Sequence, residues 1–258
     1  MITFPVNRFN YLIYMKSILS LTFLLISVCI IQVEAAVSHE LFSNLLKKNV
    51  SIAGKVDYKG FIRDSTQLNQ YLKQLSSNPP AQNWSRNDQL AYWINAYNAF
   101  TIQLVIRNYP LKSIKDIGSI IKIPFVNSPW DIKFIRIGTE TYDLNNIEHD
   151  ILRAKFKEPR IHFAIVCASI SCPKLLNEAF VGARIDVQLD AQARAFVNDP
   201  ARNKITPNQA QLSPIFSWFK GDFTKQGSLI SFINKYSKVK LNQNARLSSL
   251  DYNWNLNG

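Results

Sequence analysis

Two cysteines five residues apart, Cys167 and Cys172, close the apolar run Ile161 to Pro173, IHFAIVCASISCP. A cysteine acts as a nucleophile when a base lies within hydrogen-bond reach and a third group orients that base. The chain offers three histidines. His39 lies far upstream. His162 sits five residues before Cys167, an odd number, so a regular strand through both points them to opposite faces. At ~3.3 Å per residue it also lies about 16 Å away. His149, next to Glu148 in NNIEHDILR, is left as the better base. Neighbours on an α-helix diverge by about 100°, so one of Glu148 and His149 is expected to face the site while the other packs elsewhere. The expected catalytic set is Cys167 with His149 or Glu148. Ser169, Ser171 and the N–H groups of the turn ASISCP are the candidates to hold a developing oxyanion.

The same cysteines admit a second chemistry. In an oxidising compartment Cys167 and Cys172 can pair as a local disulfide, closing so short a loop that little of the unfolded chain is constrained. The free thiol implies a hydrolase or an acyl-transferase, since a thiol nucleophile serves both. The bridge implies a non-catalytic envelope-binding domain with an exposed aromatic or basic patch, for which Trp218, Phe219 and Lys220 are candidates. No CxxC or HExxH spacing gathers Glu148, His149, His162 and the cysteines into a ligand set, so neither a metal nor a cofactor is expected.

Several elements must position these groups. The clearest is a helix over about 86–109: Ser85 caps it, Asp88 follows three residues later, and Pro110 stops it. Apolar residues cover most of its circumference, which marks a central buried helix. Asn95 and Asn98 fall on nearly one face of it. An amide in such surroundings costs about 1–3 kcal/mol if unpaired, so both are expected to bond loop backbone or substrate beside the site. A helix from Ser38 to Asn49 follows from Leu41, Leu45 and Leu46, and another from Asp64 to Leu75 carries Leu68, Tyr71, Leu72 and Leu75 on one side. Gly54–Phe61 reads as an extended connection between them, and Leu111–Ile117 as a short helix turning at Gly118.

DIKFIRIG, Gly138-Thr139 and Thr141-Tyr142 predict a hairpin. Asp143 then caps the helix carrying Glu148 and His149, and Ile161–Cys167 reads as a buried strand. Further along come a helix over Leu189–Val197, a hairpin turn at Pro207-Asn208, a short aromatic helix at Pro214–Phe219 and a helix over Gly227–Tyr236. Val239–Leu241 and Ser248–Tyr252 read as strands. Without regular βαβ alternation the class is α+β, a single domain whose central helix packs on a small mixed or antiparallel sheet.

Arg8, Lys16, an apolar run from Ile18 to Val33 and the small residues Ala35 and Ala36 form the three-part pattern of a secretory signal peptide. Residues 1–36 are expected to be removed, with the mature chain, 37–258, periplasmic or secreted. The net charge is +12, with lysines and arginines scattered rather than gathered into a basic helix. Nucleic acid is therefore not an expected partner, and an anionic envelope or membrane surface is the class such a charge admits.

LAYWINAYNAF, YPLKSI, NNIEHDILR, IHFAIVCASISCP, LDAQARAFVNDP and LSPIFSWFKGDF occur in this order, and together they resemble the domain-of-unknown-function family numbered 547, from about Leu90 to Phe223. The resemblance implies a fold unit and candidate positions rather than a reaction. It also implies that Glu148 and Cys167 are the firmer positions of the pattern, and His149 and Cys172 the less uniform ones.

Overall fold

The computed structural model describes residues 36–117 and 128–258. The expected signal peptide, residues 1–36, lies outside them except for its last residue, as does the turn expected at Gly118. Residues Ala35–Gly258 form one compact unit.

The central element is the helix Arg86–Arg107. The Ser85 hydroxyl accepts the Asp88 N–H at 3.0 Å and so caps its first turn. Every residue from Leu90 to Val105 is buried. Around it pack the helices Glu40–Asn49, Tyr58–Arg63 and Ser65–Ser77, with Leu68, Tyr71, Leu72 and Leu75 facing inward as the heptad-like spacing predicts. The segment expected as an extended link after Gly54 contains the short helix instead. Asp57 accepts the Gly60 N–H at 2.8 Å and supplies a start signal of the usual kind. Asp64, expected as a cap, spends its carboxylate on Lys48 and Asn49, at 2.6 and 2.8 Å.

The hairpin is present: β1, Ile135–Ile137, pairs antiparallel with β2, Glu140–Tyr142. Gly138 takes φ +60° between them, a left-handed turn conformation that favours glycine. Edge-to-face rings, Trp93 on Tyr142 and Phe100 on Phe134, fasten the hairpin region to the central helix. A second core gathers Phe163, Phe196, Phe216, Phe223 and Ile233 between the helices Ile185–Val197, Ile215–Trp218, Lys220–Phe223 and Leu229–Tyr236. Its sheet has β3, Lys204–Thr206, antiparallel to β4, Gln209–Leu212, and β4 parallel to β5, Arg246–Ser249. The class is α+β. Val239–Leu241 forms no strand; there the Leu241 N–H and C=O are both taken by the Asn234 side chain.

The largest departure concerns Ile161–Pro173. Its residues Ile161 to Val166 are buried as expected, whereas Ile170 is exposed, and the run forms no strand. Pro159–Phe163 is a 3-10 turn, started by Pro159 and capped by Glu158. Beyond it an irregular chain takes its partners from the central helix: the Asn98 amide donates to Ala164 O at 2.9 Å and accepts from Val166 N at 2.9 Å. Asn95 does the same for Phe180, in both directions. Both asparagines are thus backbone clamps, each replacing two ladder bonds.

Candidate functional site

Each wall of the site has a different origin. The helix Asn146–Phe156, opened by Asp143 accepting the Asn146 N–H at 2.6 Å, is wound as a π-helix. Bonding from i to i+5 widens the turn, so successive side chains diverge by less than on an α-helix. Glu148 and His149 consequently both line the same pocket of about 190 Å³, where the α-helical argument allowed only one. Tyr97 enters from the central helix, and the 3-10 turn supplies His162. Cys167 and Cys172 come from the loop, and Trp130, Trp218, Phe219, Tyr252 and Trp254 add an aromatic wall.

His162 was set aside on strand geometry, and the turn removes that argument. It is buried, stacked on Phe219 with ring centroids 3.9 Å apart. Its Nε2 faces Asp222 Oδ2 at 2.9 Å. Asp222 also accepts from Arg153 Nε at 2.6 Å and Lys225 Nζ at 3.1 Å. The bond with His162, then those with Arg153 and Lys225, hold its carboxyl well below the usual carboxylate range despite partial burial. An ionised Asp222 fixes the Nε2–H tautomer, leaving the Nδ1 lone pair bare. Among the described residues that buried Nδ1 has no hydrogen-bond partner.

Glu148 Oε1 lies 3.9 Å from His162 Nδ1. With the imidazole uncharged, this is a close contact rather than an ion pair. Burial pushes the Glu148 carboxyl up to about 7, outweighing Arg153 and the long Tyr97 hydroxyl contact at 3.4 Å. Burial likewise lowers His162, the Asp222 bond opposing it. His149 is lowered by burial and by Arg153, whose Nη1 donates to its Nδ1 at 2.9 Å. At neutral pH the pocket therefore holds two uncharged imidazoles, of which His162 keeps a free lone pair while the Arg153 N–H occupies that of His149, and a carboxyl balanced between its two forms.

Cys167 and Cys172 are joined as a disulfide. Ala168 between them takes φ +62°, a left-handed conformation that costs alanine about 1 kcal/mol or more. It turns the chain so that Cys172 Sγ receives the Cys167 N–H at 3.0 Å. The Ser169 and Tyr252 hydroxyls stand 3.2 and 3.3 Å from the same sulfur. Ser171 lies off the pocket lining and accepts the Asn253 N–H at 2.9 Å. Asn95 and Asn98 also lie outside the lining and act on it through the loops they hold.

At the mouth, Trp218 stacks on Trp254 at 5.8 Å, Tyr252 packs on both, and Trp130 meets Trp254 at 5.8 Å. Trp218 is half exposed. Sequence reasoning missed Asp222, Arg153, Tyr97, Tyr252, Trp130 and Trp254. The signal it held for the loop was the pair of amides in an apolar helix; nothing in spacing connects position 162 to 222.

Comparison with known proteins matches residues 81–197 to the family described as "Protein of unknown function, DUF547". Neither the comparison with curated proteins nor that with solved structures gave a match. Glu148, His149, His162, Cys167 and Cys172 fall inside the matched residues, whereas Trp218, Asp222, Tyr252 and Trp254 follow them. Residues 81–197, with their buried helix and cysteine loop, are the part of this chain that matches the DUF547 family.

Proposed function

We propose that the chain is an exported hydrolase or acyl-transferase whose nucleophile is Cys167, acting when the Cys167–Cys172 bond is open. The observation that carries this is the convergence of Cys167, His149, His162 and Glu148 on one pocket, with Asp222 orienting His162. Nucleophile, base and orienting carboxylate are the three roles a thiol acyl-transfer site requires. His162 takes the thiol proton and the thiolate sulfur bonds the acyl carbon. The leaving group departs with a proton from Glu148, whose carboxyl, raised to about 7, keeps a substantial protonated fraction at neutral pH. Water, or another acceptor, then releases the acyl group and restores the thiol. The aromatic mouth suits an acyl group with an apolar face.

The test uses the reduced protein and p-nitrophenyl acetate, read by intact mass. An acetyl adduct on Cys167 that Cys167→Ser abolishes and Asp222→Asn slows by tenfold or more supports the reading. A Cys167 that carries no adduct and alkylates with the pH profile of an ordinary thiol near ~8.5 refutes it. Export rests on Arg8, Lys16, the run Ile18–Val33 and Ala35-Ala36, and amino-terminal sequencing of the protein recovered from cells tests it. The net charge of +12 supports contact with an anionic envelope surface, which co-sedimentation with anionic vesicles at low and high salt would measure.

The disulfide itself favours a second reading, a non-catalytic binding domain whose pocket is walled by Trp130, Trp218, Tyr252 and Trp254. It predicts that small-molecule binding survives Cys167→Ser together with Cys172→Ser. Under the enzyme reading, Cys167→Ser alone ends turnover.

A further inference from the structure

The two sulfurs of the bridge stand in unlike surroundings. Both line the pocket, but Cys167 is partly exposed, so an incoming group meets that residue first. Cys172 is 1 % exposed. Donors favour Cys172 as well. Its Sγ receives a fixed backbone donor, the Cys167 N–H at 3.0 Å, which Cys167 Sγ lacks. The Ser169 and Tyr252 hydroxyls lie within 3.4 Å of both sulfurs. Each has one proton, which rotates to whichever sulfur gains negative charge. Burial pushes the Tyr252 phenol up to about 12, so it keeps its proton as a donor. Arg202 donates to Cys172 O at 2.7 Å and to Ile170 O at 2.9 Å, setting a positive charge against the same loop.

A thiolate held by two or three hydrogen bonds is stabilised relative to a free one. The sulfur whose thiolate is more stable is the better leaving group in thiol–disulfide exchange. We infer that this pocket is a directional thiol–disulfide exchange site: a small thiol entering it attacks Cys167 Sγ, and Cys172 leaves as the thiolate cradled by Cys167 N–H, Ser169 and Tyr252.

The electron pair of the broken S–S bond goes to Cys172, and the incoming sulfur forms a mixed disulfide with Cys167. A second molecule of the thiol then attacks the incoming sulfur, releasing the small disulfide and the Cys167 thiolate. In sum, two thiols are oxidised to one disulfide, the protein bridge is reduced to two thiols, and the two protons move from the small thiols to the cysteines. The substrate class is a low-molecular-weight thiol with an apolar or planar body, matched to a pocket of about 190 Å³ walled by aromatic rings. This activity belongs to the oxidised chain. It is independent of acyl transfer, which needs the reduced one.

The test treats the oxidised full chain with 5-thio-2-nitrobenzoate, whose colour is lost on attack. N-ethylmaleimide is added at early times and the adducts are located by peptide mapping. The expected result is the nitrobenzoate on Cys167 and maleimide on Cys172, formed faster than with an oxidised peptide spanning residues 166–173. Removing one donor raises the leaving thiol's pKa; one unit at a Brønsted slope of about 0.5 is roughly threefold in rate. Ser169→Ala and the conservative Tyr252→Phe should each slow the step by about that factor. Adducts on Cys172, equal adducts on both cysteines, or a rate no faster than the peptide's would overturn the inference. The wild-type mapping decides it even if a variant fails to fold. The acetyl adduct on the reduced protein is scored separately, so failure of one activity does not mimic failure of the other.

Discussion

Replacing Glu148 with glutamine isolates the cost of burying its charge. The side chain is nearly inaccessible, and burial moves its carboxyl from 4.5 to about 7. Between those values the unfolded chain has released a proton that the folded chain retains. Stability from this group is therefore full below pH 4.5 and falls by about 1.4 kcal/mol per pH unit until the folded carboxyl ionises near pH 7. The loss accumulated by pH 8 is about 3 kcal/mol. Glutamine keeps the shape and an acceptor for Tyr97 but has no proton to lose. Urea denaturation of both proteins from pH 4.5 to 8.5, in one fixed cysteine oxidation state, gives the difference directly, with the other titrating groups cancelling to first order. Glu148→Gln should gain on the wild type progressively as pH rises and level off near pH 8. In a domain of this size the gain corresponds to roughly 6–12 °C in Tm. A difference that stays flat to within ~0.5 kcal/mol across the series would show that Glu148 titrates normally, and would remove it as an acid held ready near neutrality.

Other perturbations probe the frame. His39 is buried, with Nδ1 2.7 Å from the Tyr71 hydroxyl, and burial lowers it to about 4. Its stability contribution is present above pH 6.5 and lost as pH falls toward 4, up to about 3 kcal/mol; His39→Gln should flatten the acid limb of the stability curve over that window. Asn95→Ala and Asn98→Ala each strand a buried carbonyl and a buried N–H, and should each cost about 1–3 kcal/mol or more in urea unfolding. Their clamps hold separate segments, so the double variant should come close to the sum. Gly182 lies against the first turn of the central helix, where an added Cβ would sit 2.8 Å from Asp88 N. Gly182→Ala should lower stability by roughly 1–3 kcal/mol, and an unchanged Tm would contradict that packing.

Much of the frame was legible because its signals are local. Ser85, Pro110 and the apolar circumference between them are a helix written in neighbouring residues, and Gly138-Thr139 announces its hairpin in the same way. The loop at 161–173 was misread for a physical reason. Apolar residues announce burial, but they do not say who bonds the backbone, and here the partner is Asn98, 66 residues earlier than Ala164. Once that run was taken as a strand, His162 was turned away from Cys167. The π winding around Glu148 and His149 was equally invisible, since NNIEHDILR satisfies α-helical periodicity. Tyr252 and Trp254 enter the pocket, and Asp222 reaches His162, by long-range contact alone, with His162 and Asp222 60 residues apart in sequence.

The last stretch of chain closes the cysteine loop from outside. Ile170 N donates to Asn255 O, Ser171 N to Asn253 O, and Asn257 N to Ala168 O, which sets Tyr252 over the sulfurs. Translation runs from the amino end, so Cys167 and Cys172 leave the ribosome about 80 residues ahead of Tyr252. An oxidant that reaches the nascent chain meets two bare thiols, whereas one that acts after the tail has docked meets them with their donors in place. A fragment cut to the family match, residues 81–197, holds both cysteines permanently in the first condition, and its thiol chemistry would be that of an unfinished protein.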